Sequence, residues 1–505
     1  MNRAAESHWI VNKMRNTYQL IKFYPVGQGL FSYGEFHLEG SRRVLRWVYD
    51  CGSTSSENLV EKAVEGFDPT IEIDLLTVSH FDADHISGLV RLMQRTRVRK
   101  LLLPYVPLAK RLAFAFSQRL TTRHHLFDFF VSPADYLAAR VGASIAEILI
   151  VPPSDGESDR EDDANNDNEP NLPPELPEEL EADRAEQTGN AEADRELHNT
   201  RRRSTGAVAV SYLRRNSRIN LGRAYEFVPY NDATFDDKTS PTFLASAAAY
   251  RDKMLGSESE SERSEALTGL KRIYDAEFSR KGMTKSQTRN VISLFLFASP
   301  TGGPQGLHIH KATLYSGDGF LNSDDRIRAL RRFMGRKRMA QIACFQVMHH
   351  GARSSWQAGV AREISPLISV YSSNPEHKKL RHPNTDVQRD FARYRPVQVD
   401  KYNGLSLIIQ TPICIGHRAP LQFLYQLPAS CLPPQFAAPR GQTRKRLPTS
   451  GAIKTASYQT PDMRDGALLV CGPCSPIRRR SDPGACEPVN PSALRYEVIR
   501  CRPAR

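Results

Sequence analysis

The segment Ile71–Leu89, IEIDLLTVSHFDADHISGL, constrains the fold more than any other part of the chain. Its run Leu75–Val78 predicts a buried strand, and the apolar spacing from Ile86 onward predicts a helix. Four side chains that can bind metals occupy six positions between the two elements: His80, Asp82, Asp84 and His85. Alternate residues of such a loop can point the same way, so the first two can share one metal ion while the last two turn toward another.

This set of ligands suits Zn, Mn or Fe, because imidazole and carboxylate groups bind all three metals. A hydrolytic metal also needs an open position for water or substrate. The alternative is an ordinary polar loop in which Asp84 caps the following helix. Four candidate ligands within six residues favour the metal site over that alternative.

Short apolar runs alternate with helical patterns over much of the chain. The runs predicted as strands are Leu20–Tyr24, Leu45–Tyr49, Leu75–Val78, Leu101–Leu103, Ile145–Val151, Val291–Phe297, Ala312–Tyr315, Ala343–Val347, Leu367–Tyr371 and Leu405–Gln410. The stretches predicted as helices are Ser56–Glu65, Ile86–Gln94, Asp324–Phe333 and Asp386–Tyr394. This alternation predicts an α/β architecture.

Two polar segments interrupt this pattern, and a third follows it. Residues 152–205 are acidic and rich in Pro and Asn, which predicts a disordered insertion. Residues 232–289 are predicted to be a second, polar and helical insertion. The sequence thus divides into one main domain over 18–415, interrupted by these insertions, and a Pro/Arg/Cys-rich tail or small appended module over 416–505.

The charge distribution favours a polyanionic partner. Asp155 to Glu196 holds 17 acidic residues and three arginines, a net charge of −14; because the whole chain carries +13, the remainder carries +27. The basic clusters are Arg201–Arg203, Arg326–Arg338, Arg444–Arg446 and Arg478–Arg480. Lys and Arg side chains that neutralise phosphates bind nucleic acid through counterion release. The alternative is a basic surface that is only solvated.

The composition excludes several classes of protein. No apolar run approaches the ~18 residues of a membrane-spanning helix, and the first residues lack the apolar core of a signal peptide. The eight cysteines form no compact disulfide framework, which favours a reducing compartment. We therefore expect a cytoplasmic protein with no membrane partner. Four cysteines of the tail are candidates for a structural zinc, but the last two lack CxxC spacing: Cys471, Cys474, Cys486 and Cys501.

The loop sequence HFDADHISG resembles the HxHxDH signature of the metallo-β-lactamase fold, with Asp82 in place of the second histidine. This HxDxDH variant is typical of the subgroup similar to the C-terminal hydrolase domain of the DNA-uptake protein ComEC. Six further stretches resemble elements of that subgroup in the same order: FYPVGQGL at Phe23–Leu30, VYDCGS at Val48–Ser53, NVISLFLF at Asn290–Phe297, LYSGD at Leu314–Asp318, FQVMHHGARSS at Phe345–Ser355 and SSNPEHKKLRHP at Ser372–Pro383.

The resemblance implies a particular α/β fold, the four-layer αββα metallo-β-lactamase sandwich, with the two insertions and the tail added to a catalytic domain. It implies two divalent metal ions, Zn or Mn, at one edge of the two sheets. The implied ligands are His80, Asp82, Asp84, His85, Asp318, and His349 or His350. Of the last two we favour His350. The family usually places a further histidine between the loop and Asp318, and this sequence has no match for it. One metal could therefore be held weakly, so occupancy by two zinc ions is not required and Mn remains an alternative.

The resemblance also assigns roles around the metals. Asp84 and His382 are the expected catalytic residues, and His382 contacts a phosphate or protonates the leaving group. Asn374 is expected to orient the substrate, with a turn-capping role as its alternative. Asp50 is expected to support the ligands from outside the coordination sphere.

We therefore expect a soluble metal-dependent hydrolase. The leading hypothesis is a phosphodiesterase or nuclease that attacks nucleic acid through a metal-bound hydroxide. Standalone proteins of this type resemble effectors of defence systems. The acidic insertion and the tail are candidate sites for protein partners. Two alternatives stay open: a hydrolase of small molecules such as a cyclic nucleotide or a lactone, and a degenerate partner module without catalysis. The intact ligand set disfavours the last.

Overall fold

A computed structural model of the chain describes most residues between 15 and 413, together with four short strands beyond them. The described residues exclude 1–14, 109–110, 113–114, 116–125, 155–172, 174, 188–192, 195, 197, 199–207, 233–239, 258, 280–292, 302–309, 378–379, 414–421, 427–453, 457–466, 472–494 and 499–505.

Strands make up most of the regular structure. In chain order they are β1 (Arg15–Phe23), β2 (Phe31–Leu38), β3 (Val44–Cys51), β4 (Glu72–Thr77), β5 (Arg97–Pro104), β6 (Ile145–Val151), β7 (Glu181–Ala182), β8 (Arg184–Ala185), β9 (Ala209–Leu213), β10 (Ile219–Leu221), β11 (Tyr225–Asn231), β12 (Leu294–Pro300), β13 (Ala312–Tyr315), β14 (Ile342–Gln346), β15 (Ile368–Ser372), β16 (Pro396–Val399), β17 (Leu405–Ile413), β18 (Gln422–Gln426), β19 (Lys454–Ala456), β20 (Ala467–Cys471) and β21 (Arg495–Val498).

The helices lie between these strands. In chain order they are α1 (Glu57–Glu65), α2 (Ala83–Ile86), α3 (Leu89–Arg95), α4 (Phe127–Val131), α5 (Pro133–Val141), α6 (Pro241–Gly256), α7 (Glu260–Ser279), α8 (Asp324–Met339), α9 (Val360–Ile364) and α10 (Thr385–Phe391). Among the described residues, no helix is both long and apolar enough to cross a lipid bilayer.

The described strands form two mixed sheets. The first has the order β19-β21-β20-β18-β17-β1-β2-β3-β4-β5-β6-β9-β8, and the second has the order β16-β15-β14-β13-β12-β11-β10-β7. Strands β3, β4, β5, β6 and β9 run parallel, as do β13, β14, β15 and β16. Residues that follow parallel strands gather at one edge of a sheet. Each sheet therefore presents a set of loops at a single edge.

Apolar side chains of both sheets share one core. Trp47 and Leu102 of the first sheet belong to the same buried cluster as Phe227, Leu296 and Ile368 of the second. Strands that are buried on both faces have nearly continuous apolar sequences. This property made β6 and β12 predictable. The two sheets thus pack face to face.

Helices cover the outer face of each sheet. On the first sheet, Val60 of α1 and Leu92 of α3 join a core with Ile73 and Val98. On the second, Leu330 of α8 and two further helices cover Phe345 and its neighbours. The α/β class predicted from the sequence is confirmed.

The helix predicted over Ile86–Gln94 is divided in the structure. Helical structure begins three residues earlier than predicted, with the single turn of α2, and resumes in α3 after Ser87 and Gly88. A Cβ placed on Gly88 would lie 2.1 Å from Cγ1 of Val60, so only glycine allows this close approach.

The acidic insertion is more ordered than predicted. The expectation of disorder over 152–205 was wrong for its described part, because β7 pairs with β10 and β8 with β9. Leu176 and Leu180 are buried in the core between the sheets, and Oε1 of Glu175 accepts hydrogen bonds from the turn at Ser41. Two leucines anchor a segment whose composition is otherwise that of a disordered chain. Residues 155–172 lie outside the described part.

The second insertion holds the α6–α7 hairpin, whose Phe243, Ala247 and Leu270 pack on the helical face of the first sheet. In the tail, β18 pairs with β17, and the three later strands continue the same sheet. The described strands of 416–505 are therefore attached to the first sheet rather than forming a separate module. Three of the four tail cysteines lie outside the described residues, and only the backbone of Cys471 is described.

Candidate metal centre

Seven predicted ligands come together where the two sheets meet. The segment after β4 contributes His80 and Asp82 from a loop, whereas Asp84 and His85, predicted to lie in the same loop, belong to the single turn of α2. From the second sheet, Asp318 follows β13, and His349 and His350 follow β14. Main-chain contacts join the two edges, since the N–H of Leu294 donates to the carbonyl of Ser79 over 2.8 Å. The site therefore lies between the loops of two different sheets.

Asp318 stands at the centre of the cluster, and its two oxygens face different histidines. Its Oδ1 lies 3.2 Å from Nε2 of His85 and 3.5 Å from Nε2 of His350. Its Oδ2 lies 3.7 Å from Nε2 of His80 and 3.4 Å from Nε2 of His349. One buried carboxylate is thus placed to bridge two neighbouring cation positions.

Asp84 completes the group on the Oδ1 side. Its Oδ2 lies 3.1 Å from Nε2 of His350, and its Oδ1 lies 4.0 Å from Nε2 of His85. Ligand atoms of His85, Asp318 and His350 all lie within 4.8 Å of one another. This half offers two imidazoles and two carboxylates.

Asp82 completes the group on the Oδ2 side, with its Oδ2 3.8 Å from Nε2 of His80. His349 supplies the second imidazole here. The two halves are contiguous, because ligand atoms of His80, Asp84 and His85 also fall within 4.8 Å of one another. The sequence led us to favour His350 over His349, whereas the structure places each beside a different oxygen of Asp318.

Residues outside the cluster fix the rings of the histidines. Oδ2 of Asp50 lies 2.7 Å from Nδ1 of His85 and accepts a 2.6 Å hydrogen bond from the hydroxyl of Ser79. Nδ1 of His349 contacts the hydroxyl of Ser355 at 2.8 Å, and Nδ1 of His350 contacts the carbonyl of Ser372. Such partners hold Nε2 toward a metal, the usual arrangement of metal-binding histidines.

The donor set fits a divalent cation. Nε2 of His80 and Nε2 of His85 are buried and, within the described part of the chain, have no hydrogen-bond partner. Both atoms point at carboxylates. A buried polar atom without a partner costs about 1–3 kcal/mol, and a cation bound between these groups would satisfy both.

The electrostatics of the cluster also favour a cation. Burial lowers the pKa of His85, but the carboxylates of Asp318 and Asp50 outweigh it and raise that pKa well above its ordinary value, so a cation bound at His85 would displace a proton from its ring. Burial raises the pKa of Asp84, yet the charge of His85 and the hydrogen bond from His350 bring it down to about 2. The carboxyls are therefore held ionised, and the negative potential that they create attracts positive charge.

His80 behaves differently. Burial and the charge of His85 lower its pKa to about 3, so its imidazole is neutral at physiological pH. A neutral imidazole is the form that binds a metal ion.

The backbone is strained at three residues of the site. Asp50, His349 and His350 have φ angles of 56°, 48° and 56°, in the left-handed region that side chains disfavour. Such conformations cost on the order of 1–3 kcal/mol each and persist where the surrounding structure enforces them. The surrounding structure thus holds these three side chains in place against a backbone cost.

His382 lies beside the cluster, with its ring centroid 6.1 Å from that of His349. Burial and the nearby His350 lower its pKa to about 4. Its Nδ1 is buried and has no hydrogen-bond partner among the described residues. The ring thus lies next to the ligand cluster, as the sequence predicted for a residue near the substrate.

Asn374 is nearly buried, and its Oδ1 accepts a 3.2 Å hydrogen bond from the N–H of Glu376. Its own N–H donates to Oε1 of Gln28 at 3.3 Å. The structure shows the turn-capping alternative, and a role toward substrate stays a prediction.

Sequence reasoning missed several supports of the site. Ser79 and Ser355 lie near the ligand histidines in the motifs. Nothing in the sequence spacing predicts that Ser79 bonds to Asp50 or that Ser355 contacts an imidazole. Gln346 is buried under the Asp318 turn, where its Oε1 accepts from the N–H of Gly317 at 2.7 Å. That contact joins β14 to the residue before Asp318 and depends on tertiary structure alone.

Comparison with known proteins adds no assignment. No protein-family model matches the chain, and no curated protein sequence matches it.

Replacing Asp50 with alanine is expected to lower metal affinity by about 10–100-fold, because His85 then loses the group that orients its ring. Competition titration with a chromogenic chelator would measure the change. The exposed Asp325, in the first turn of α8, is a matched control, and Asp325→Ala should bind metal as the parent does. Equal affinities in Asp50→Ala and the parent would contradict this role.

Proposed function

We propose that this chain is a metal-dependent hydrolase of the metallo-β-lactamase fold, similar to the ComEC hydrolase domain, and that it cleaves phosphodiester bonds in nucleic acid. The observation that carries the proposal is the central position of Asp318. A carboxylate with one imidazole pair on each oxygen could bridge two cations, which supports a two-metal hydrolytic site. The four-layer αββα fold is part of the same proposal, supported by the helices on both outer faces of the sheet pair.

The proposed centre holds two divalent cations, Zn or Mn. His85, His350 and Asp84 would hold one of them, and His80, His349 and Asp82 the other, with Asp318 shared between them. When bound, such cations lower the pKa of a coordinated water and polarise a phosphoryl oxygen. His349 would supply an imidazole to the second cation, which supports a second site although the histidine expected from the family resemblance is missing.

The protein's own groups would position the substrate. The ring of His382 lies beside His349; because its pKa is lowered to about 4, the imidazole is neutral near pH 7 and would contact a phosphate of the substrate rather than protonate the leaving oxygen. Asp50 and Ser79 hold the loop of ligands still. Gly52 allows this loop to pack closely, since a Cβ there would lie 2.5 Å from main-chain atoms of Asp84 and His85.

Basic residues near the centre would contact phosphates. Arg353 and Arg381 are both exposed. Arg353 follows the ligand histidines in the sequence, and Arg381 directly precedes His382. The basic run Arg326–Arg338 contributes less than predicted. It forms α8, which leaves β13 at the metal edge and returns to the start of β14, so Arg336 and Lys337 lie at the far end. Arg338 is paired with Glu226 at 2.9 Å.

The second candidate function is hydrolysis of a small molecule, such as a cyclic nucleotide or a lactone, at the same centre. The exposed arginines favour the polymer, because a small substrate needs no cationic surface outside the cleft. The partner-module alternative is disfavoured by the complete and ionised ligand set.

The test is hydrolysis after metal exchange. The chain is stripped with EDTA, reloaded with Zn or Mn, and incubated with labelled single-stranded DNA, duplex DNA, RNA, a cyclic nucleotide and a lactone. We expect polymer cleavage that EDTA abolishes and one metal restores, with Asp84→Ala as a control for contaminating nuclease. Cleavage indifferent to EDTA would refute the proposal, and turnover of only the small substrates would establish the second candidate.

Removing a phosphate contact should reduce the salt dependence of binding. In Arg381→Ala, the log–log slope of affinity against salt should fall by about 0.7 on single strands or about 0.9 on duplex DNA. Filter binding between low and physiological salt would measure it. Arg336→Ala, at the remote end of α8, is the matched control and should keep the parental slope. A parent protein whose binding ignores salt would rule out phosphate recognition.

A further inference from the structure

Strands β13 to β16 run parallel, so the residues that follow them share one edge of the second sheet. Asp318 follows β13, His349 follows β14, and Asn374 follows β15. The loop that follows β16 begins at Asp400. Neighbouring strands lie about 4.8 Å apart, which puts this loop roughly 15 Å from Asp318 along the edge.

Tyr402 stands in this loop and is 68% exposed, the largest value among the large apolar side chains that the structure describes. Oδ1 of Asp400 accepts hydrogen bonds from the N–H groups of Tyr402 at 2.7 Å and Asn403 at 2.8 Å. The ammonium of Lys401 lies 4.7 Å from the ring centroid of Tyr402. The exposed ring is therefore held by a fixed turn and carries a cation beside it.

The Tyr402 loop is connected to the site. Nζ of Lys401 lies 2.6 Å from Oε2 of Glu376, in the segment that runs from Asn374 to His382. Cβ of Lys401 also packs near Gly27, 3.4 Å from where a Cβ on that glycine would stand. Three residues beyond Gly27, the N–H of Leu30 donates to the carbonyl of Asp84 at 3.0 Å. The ring thus lies at the same edge of the second sheet as the ligand cluster.

We infer that Tyr402 is a stacking platform for a base of a single-stranded polynucleotide whose backbone crosses the metal centre. The inference rests on the proposed function and names its substrate class. An exposed aromatic ring binds any base by its face, which gives affinity without a sequence preference. Bases inside a duplex are already stacked on each other, so the platform acts on unpaired strands. Lys401 and Arg381 at the same edge would contact the phosphates between the base and the metal centre.

The experiment separates binding from cleavage. Affinity is measured by fluorescence anisotropy with a labelled oligothymidylate whose phosphorothioate linkages resist hydrolysis, and turnover is measured with bis(p-nitrophenyl) phosphate. We expect Tyr402→Ala to weaken oligothymidylate binding by about 5- to 150-fold, the range for loss of one stacked base. Tyr402→Phe should bind like the parent, because the ring is retained. All variants should hydrolyse the small substrate at the parental rate.

Tyr18→Ala is the matched control, because Tyr18 is also exposed and lies on β1 five residues before the strand's end at the metal edge. It should leave oligothymidylate binding unchanged. Equal binding by Tyr402→Ala and the parent, or a parent that does not bind the oligonucleotide, would overturn the inference. A parent that binds and loses affinity in Tyr402→Ala, yet cleaves no phosphodiester, would keep the platform and refute the proposed catalysis.

Discussion

Replacing Asp318 with alanine is expected to abolish hydrolysis and to remove metal from both halves of the centre. Both oxygens of this carboxylate face imidazoles at 3.2–3.7 Å, so its loss affects both halves at once. Two-metal catalysis contributes several kcal/mol to the transition state, which corresponds to a loss of about a thousandfold or more in rate. Metal content after dialysis and turnover on a labelled oligonucleotide measure the two effects.

Two controls accompany this variant: one for correct folding and one for the loss of a histidine outside the cluster. Circular dichroism should show a folded Asp318→Ala protein. His310→Ala removes a histidine whose Nδ1 contacts the carbonyl of Ile342 at 2.8 Å, away from the cluster, and should cleave at the parental rate. An Asp318→Ala protein that retains two equivalents of metal, or that cleaves as the parent does, would place the active centre elsewhere.

Replacing Trp47 with alanine is expected to lower the free energy of unfolding by about 3–5 kcal/mol. The indole is fully buried between the sheets, with ring centroids of Tyr225 at 5.2 Å and Phe227 at 5.6 Å. Its Nε1–H donates to the hydroxyl of Tyr315 at 3.3 Å. The substitution leaves a cavity in the core that holds the sheets together and removes one of the hydrogen bonds to the Tyr315 hydroxyl, which keeps the one from Ser32.

Urea unfolding followed by circular dichroism measures the loss, and Tyr402→Ala is the surface control with an expected change within ±0.5 kcal/mol. Gly34 gives a second test of the same packing, because a Cβ there would lie 2.1 Å from the indole of Trp47. Gly34→Val should therefore destabilise the protein as well. A Trp47→Ala protein as stable as the parent would show that the sheets are held together by other contacts.

Local spacing made the ligand loop predictable. His80 to His85 lie within six residues between an apolar strand and a helix, and the strand end fixes where they point. Asp318 and the histidine pair were found only through resemblance, because a Gly-Asp turn and two adjacent histidines carry little meaning alone. The choice between His349 and His350 depended on which oxygen of Asp318 each ring faces, and no sequence pattern encodes that.

Buried strands with continuous apolar runs were the easiest elements of the fold to predict. Strand β2 was missed because FSYGEFHL mixes polar and apolar residues, and its Gly34 is explained only by the indole opposite. The acidic insertion misled composition-based reasoning, since Leu176 and Leu180 anchor it against the core while the residues around them are charged. The pairing of β18 with β17 likewise joins residues on either side of a predicted boundary.

The division of the ligands between the two sheets also governs when the centre can exist during synthesis. Residues 80–85 are made early, whereas residues 318–350 follow only after both insertions. At about 5–20 residues per second, the ribosome needs roughly 10–50 s to pass from the first group to the second. Throughout that interval the growing chain holds half a centre and cannot share a cation through Asp318. A centre assembled in this order is complete only after the second sheet has been translated.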